Sequence, residues 1–102
     1  MKIILPLVAI ALALPAHADE ATSAIETLGK VNGVALACSQ PAIASRARNA
    51  MTTTAPKTRG NGELFENATN AAYLEQGKGA ACPDAATLAS RLGDAEKRLQ
   101  AA

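Results

Sequence analysis

The stretch Cys38–Cys82, CSQPAIASRARNAMTTTAPKTRGNGELFENATNAAYLEQGKGAAC, decides how this chain folds. It opens and closes with the only two cysteines in the sequence. Between them lie two segments with helical spacing, each ended by a breaker. Pro41 suits a first helical turn, where its missing N–H would be unpaired anyway. Ile43, Ala47, Ala50, Met51 and Thr54 then share one side, and Pro56 ends the helix by pushing Ala55 out of the helical region. Pro56 to Gly62 reads as a loop with Lys57, Arg59 and two glycines. The second helix runs from Asn61 or Gly62 to Gln76. Leu64, Phe65, Ala68, Ala71 and Ala72 share its inner side, and Gly77-Lys78-Gly79 stops it.

A helix is expected on each side of this stretch. After Cys82, Pro83 opens a segment in which Ala85, Leu88, Leu92, Ala95, Leu99 and Ala102 recur three and four apart, the most regular stripe in the chain. Asp84 is placed well for the helix dipole, and Asp94 with Arg98 forms an i,i+4 pair. Before Cys38, Ser23 and Glu26 have the spacing of a capping box and predict a helix start at Ser23. Ile25, Leu28, Val31, Ala35 and Cys38 follow at helical steps. Gly29, Gly33 and Ala37 make a second ridge of small residues, suited either to a close neighbouring helix or to a second copy of the chain. Asn32 falls inside the apolar arc and is expected to be buried. β-branched and aromatic residues are scarce and apolar alternation is absent, so no strand is predicted. The expected fold is all-α, a small bundle of about four helices pinned by one disulfide between Cys38 and Cys82.

The first eighteen residues read as a cleavable signal peptide. Lys2 gives a positive start, Ile3 to Leu14 form an apolar run of about a dozen residues, and Ala16-His17-Ala18 is an A-x-A cleavage site. The run is too short to span a bilayer core of about 30 Å, so no membrane span is expected after cleavage near Ala18. Residues 19–102 are then a single helical domain in a periplasmic or secreted setting, where cysteines oxidise. The 49% hydrophobic content is inflated by the leader; the remainder is rich in alanine. A domain this small gains from a covalent staple. Closing a loop of about 44 residues stabilises it by roughly 4 kcal/mol through loop-closure entropy.

Charge and residue types narrow the function. Without Lys2 the chain has nine basic residues against nine acidic ones, so no global field favours nucleic acid or a membrane surface. The only histidine, His17, lies in the leader. The mature chain therefore lacks the side chain that most often serves as general base or metal ligand. No Ser-His or Cys-His nucleophile pair, calcium loop, phosphate-binding glycine motif or haem-attachment motif is present. The expectation is a protein without catalytic residues, metal or cofactor. The cysteines lack the C-x-x-C spacing that poises a redox thiolate, which favours a structural bond.

Arg46, Arg48, Lys57 and Arg59 form a loose basic patch that offers a partner or anion contact, unless Glu63 and Glu66 balance it. Phe65 and Tyr73, eight apart on one helix, belong either to the core or to a small pocket. Glu63 and Glu66 are the carboxylate pair to inspect for any enzymatic role. Asn67-Ala68-Thr69 matches a glycosylation acceptor but lies within an expected helix. These features suggest a small exported binding protein acting through protein–protein contacts: an adaptor, an accessory subunit or an immunity-type inhibitor of another envelope protein. The alternative is a periplasmic stress chaperone, since size, export, helical content and two distant cysteines resemble the layout of the acid-activated periplasmic chaperones. An acid switch of that kind needs buried or paired carboxylates whose protonation loosens the fold.

Overall fold

The computed structural model describes residues 16–102, with side-chain surroundings from residue 20 onward. The expected leader therefore lies outside the described residues, apart from the backbone of 16–18. Four helices follow one another: α1 Ala16–Ala37, α2 Pro41–Thr53, α3 Arg59–Gln76 and α4 Ala85–Ala101. No strand occurs among the described residues. Cys38 and Cys82 are bonded, with Cα atoms 5.9 Å apart, inside the usual disulfide range. The chain is the all-α, disulfide-pinned bundle its sequence predicts.

Three helix starts differ from expectation, each for a local reason. α1 runs straight through Ser23, because nothing in Ala21-Thr22 breaks the helix ahead of it. The S-x-x-E spacing is then two interior positions rather than a cap. The Ser23 carbonyl accepts the Thr27 hydroxyl at 3.1 Å, and Ser23 Oγ accepts Arg98 Nη1 at 3.1 Å. α3 begins at Arg59, because extended Thr58 (φ −120°, ψ 157°) caps it by accepting the Asn61 N–H at 3.1 Å. Asn61 Nδ2 also donates to the Pro56 carbonyl at 2.9 Å, fixing the preceding loop. α4 opens on Asp84 rather than Pro83, with Asp84 Oδ1 accepting the Thr87 N–H at 2.8 Å. On α2, Ala44 is buried where Thr54 was expected to face inward; Thr54 is exposed.

The turn from α1 to α2 is tight. Gln40 N donates to the Ala35 carbonyl at 2.8 Å and Ser39 N to that of Leu36 at 3.4 Å. This is the paired bonding of a Schellman motif, which needs a left-handed residue just past the helix. Ser39 supplies it at φ 56°, where glycine would be less strained. Pro41 then starts α2 at once.

α1 is the hub, packing against all three other helices. α4 lays Leu88, Leu92, Ala95 and Leu99 against Ile25, Leu28 and Val31, all buried. It runs antiparallel to α1: Cys82, just before α4, joins Cys38 at the far end of α1, whereas Arg98 reaches Ser23 and Thr27. α3 runs parallel to α1 and touches it through the glycine ridge. A Cβ at Gly29 would lie 2.7 Å from Ala68 Cβ and 2.7 Å from the Phe65 carbonyl oxygen. One at Gly33 would overlap the Thr69 carbonyl oxygen and lie 2.9 Å from both Ala72 Cβ and Tyr73 N. Thus Gly29 and Gly33 pack internally, and helix propensity of about 1 kcal/mol per glycine is given up for that approach.

Asn32 sits at the same crossing and is 1% exposed. Its Nδ2 donates to Thr69 Oγ1 at 3.2 Å, and the Thr69 hydroxyl donates to the Phe65 carbonyl at 2.8 Å. Asn32 Oδ1 is buried without a protein partner among the described residues.

Gly33→Ala is expected to destabilise the fold by about 1–3 kcal/mol through overpacking. Gly93→Ala on α4, whose Cβ would meet nothing closer than Arg46 Nη2 at 3.6 Å, should instead stabilise by up to about 1 kcal/mol. Urea midpoints of the two variants check both signs. Replacing Cys38 and Cys82 by alanine should lower stability by roughly 4 kcal/mol, read as a shift in the urea midpoint that dithiothreitol reproduces in the unmodified chain.

Candidate functional site

The expected basic patch is not gathered in one place. Arg46 and Arg48 are two apart on α2 and reach in different directions. Arg46 grips Glu96 of α4 with two bonds, Nε to Oε2 at 3.1 Å and Nη2 to Oε1 at 2.7 Å. That hydrogen bonding raises the Arg46 pKa still further. Arg48 Nη1 meets Glu66 of α3 at 3.0 Å, and its guanidinium lies 5.3 Å from the centre of the Phe65 ring. Lys57 Nζ donates to the Thr52 carbonyl at 2.5 Å. Arg59 is exposed at the first position of α3. Both α2 arginines are therefore occupied in tying helices together.

The other candidates also separate. Phe65 is buried in the core under Arg48, whereas Tyr73 is about half exposed, so the two aromatics do not line one pocket. Glu63 is exposed and Glu66 is engaged by Arg48. Asn67 is an exposed helical residue. Among the described residues no three His, Cys, Asp or Glu side chains come together as a metal-binding group. No helix among them is long and apolar enough to cross a membrane.

What the structure assembles instead is a groove on the flank of α1 that none of the described helices covers. α3 and α4 both pack on α1 but make no backbone contact with each other. The gap between them, about 640 Å³, is floored by Val34, Leu64, Ala68, Ala71, Ala72 and Ala80. Its rim carries Glu26 and Lys30 from α1, Asn67, Glu75 and Gln76 from α3, and Arg91 from α4. The alanines keep it open, since a larger side chain at Ala68, Ala71 or Ala72 would occupy the space. One end is closed by the α3–α4 loop. Gln76 Nε2 donates to the Ala80 and Ala81 carbonyls at 2.8 and 3.1 Å, and the next residue, Cys82, is bonded to Cys38.

Arg46, Arg48 and Arg98 each meet a carboxylate, whereas the rim cations Lys30 and Arg91, like Arg59 and Lys97 elsewhere on the helices, meet none among the described residues. Glu75 has only an exposed contact with Lys78 at 3.5 Å. The groove thus presents two cations without a carboxylate partner beside an apolar floor, a composition compatible with a recognition surface. The sequence held one trace of it: Glu26, Lys30 and Val34 recur four apart on the flank of α1 away from the leucine stripe.

No protein-family model, curated protein or solved structure matches this chain.

Asp84 sets one pH response of this region, because it caps α4, the helix that brings Arg91 to the groove. The Thr87 backbone N–H, with a further side-chain bond from Thr87, holds the Asp84 carboxyl below its ordinary 3.8. A depressed carboxyl contributes stability that is complete above the unfolded value and is lost as pH falls through the folded one. Asparagine also caps helices but does not titrate in this range. Asp84→Asn should match the parent thermal midpoint at pH 7 and lose less of it between about pH 4 and pH 2. Thermal melts monitored by circular dichroism across that range check the sign.

Proposed function

We propose that this chain is a small exported binding protein that acts through protein–protein contact, as an adaptor, accessory subunit or immunity-type inhibitor. Its contact surface is the groove between α1, α3 and α4. The observation that carries this reading is the groove itself, an apolar floor with the cations Lys30 and Arg91 on its rim, on a cross-linked scaffold. Rigid scaffolds limit the ordering cost of association. The basic patch has less behind it, because Arg46 and Arg48 already serve the fold.

Export to an oxidising compartment is supported by the leader-like first eighteen residues and by a disulfide that closes the domain. Cleavage after Ala18 would leave Asp19 and Glu20 in the first turn of α1, where acidic residues complement the helix dipole. Among the residues whose side chains are described, the buried core begins at Ala24, beyond that cleavage point. The chaperone alternative has weaker support. The buried polar residues are Asn32 and Thr69, neither of which titrates as an acid, and the Asp84 cap lies at the exposed start of one helix.

A photoreactive residue at Asn67, in the groove, should crosslink one envelope protein in stoichiometric yield. The same probe at exposed Ser45 on α2 should not. Adding Ala71→Trp, which fills the groove from an exposed position, should abolish the adduct. Equal labelling from Asn67 and Ser45, or none from Asn67, would overturn the reading.

A further inference from the structure

We propose that the groove takes a single amphipathic α-helix of a partner protein, with an acidic residue midway along its flank and basic residues towards both ends. This inference rests on the groove being the contact surface. Three features of the groove point to a helix.

The first is its place in the bundle. Among the described residues, α2, α3 and α4 cover three sides of α1 and leave the flank with Glu26, Lys30 and Val34 open. One wall is α3, and across from it α4, running in the opposite direction, supplies Arg91. α3 is parallel to α1, with Gly29 opposite Phe65 and Ala68 and Gly33 opposite Thr69 and Ala72. α4 is antiparallel, with Arg98 on Ser23 and Thr27. A gap between two helices seated on a third is where ridges of another helix fit, at axis separations of about 8–10 Å.

The second is length and relief. From Leu64 to Gln76 the α3 wall extends thirteen residues, a rise of about 18 Å at 1.5 Å per step. That is a little over three helical turns. The alanines along it leave holes, and large aliphatic side chains at i, i+3, i+4 and i+7 of an incoming helix would fill them as knobs.

The third is the order of charge. Lys30 lies one turn beyond Glu26 on α1. Arg91 lies two turns from Arg98 towards Cys82, which sets it opposite the part of α1 from Lys30 onward. Glu75 stands near the loop end. The rim therefore runs negative, doubly positive, negative, and its complement runs positive, negative, positive. Charge complementarity of this kind fixes the register of a docked helix. A fatty-acid-like anion would meet a carboxylate at each end of the same groove.

The probe is a displayed library of fourteen-residue helical peptides. Leucine and alanine occupy the inner stripe, and flank positions vary among Glu, Lys and Gln. With the oxidised mature protein as bait, enriched peptides should carry Glu at the central flank and Lys near the ends. With Lys30→Glu/Arg91→Glu as bait, the central preference should switch to Lys. Both substituted side chains are exposed, and circular dichroism verifies that the variant is folded. Ala71→Trp should weaken the selected peptide at least ten-fold. No enrichment, enrichment without a charge preference, or binding untouched by Ala71→Trp would overturn the helix. Displacement of the peptide by dodecanoate at equal affinity would assign the groove to an amphiphile instead. Concentration-dependent dimerisation abolished by Ala71→Trp would assign it to a second copy. Failed selection beside a stoichiometric Asn67 adduct would sink the helix and leave the groove reading standing; failure of both would sink both.

Discussion

Two missing Cβ atoms set the geometry of this protein. At Gly29 and Gly33 the backbone of α3 comes so near α1 that a methyl group would collide with carbonyl oxygens and alanines. Everything on the α3 side follows from that approach. It places Phe65 in the core and brings Glu66 within reach of Arg48. It also sets the line of alanines that forms one wall of the groove. The buried Asn32–Thr69 bond fixes the register of the same contact, because a slide of one turn would leave the Asn32 amide donor unpaired, at about 1–3 kcal/mol, while Thr69 kept its own bond to the Phe65 carbonyl.

The two faces of α1 solve different packing problems. Towards α4 it presents Ile25, Leu28 and Val31 to a row of leucines, and the interaction is ordinary apolar burial. Towards α3 it presents glycine, and the gain comes from close backbone approach and dispersion. α4 is anchored further at its end by Arg98, which bonds Asp94, Ser23 and Thr27. The disulfide closes the opposite end, where the α3–α4 loop passes α1. Covalent and polar ties thus lie at the two ends of the bundle and the apolar core between them.

The sequence made the helices, the disulfide and much of the core legible, because each depends on local spacing. The α4 stripe was readable for that reason, as was the burial of Asn32 inside an apolar arc. The start of α1 was not. A capping box describes a boundary only when something interrupts the helix before it, and Ala21-Thr22 do not. The arginines misled in a different way. Arg46 and Arg48 are neighbours in sequence, yet residues two apart on a helix point to opposite sides, and each found a carboxylate on a different helix. Least legible was the groove. It exists because α3 and α4 do not meet, and the absence of a long-range contact leaves no periodic mark in a sequence. The spacing of Glu26, Lys30 and Val34 reads equally well as a solvated flank.

The hub position of α1 has a bearing on the order in which the fold assembles. α1 is made first and α4 last, yet their contact supplies most of the large aliphatic core. A chain growing from its N-terminus has only the α1–α2 hairpin and an alanine-rich α3 to collapse upon until Leu88, Leu92 and Leu99 are added. The closing cysteine, Cys82, also comes after three of the four helices. The native core is thus completed only when the final helix arrives, so the nascent chain stays without its leucine row for nearly the whole of its synthesis.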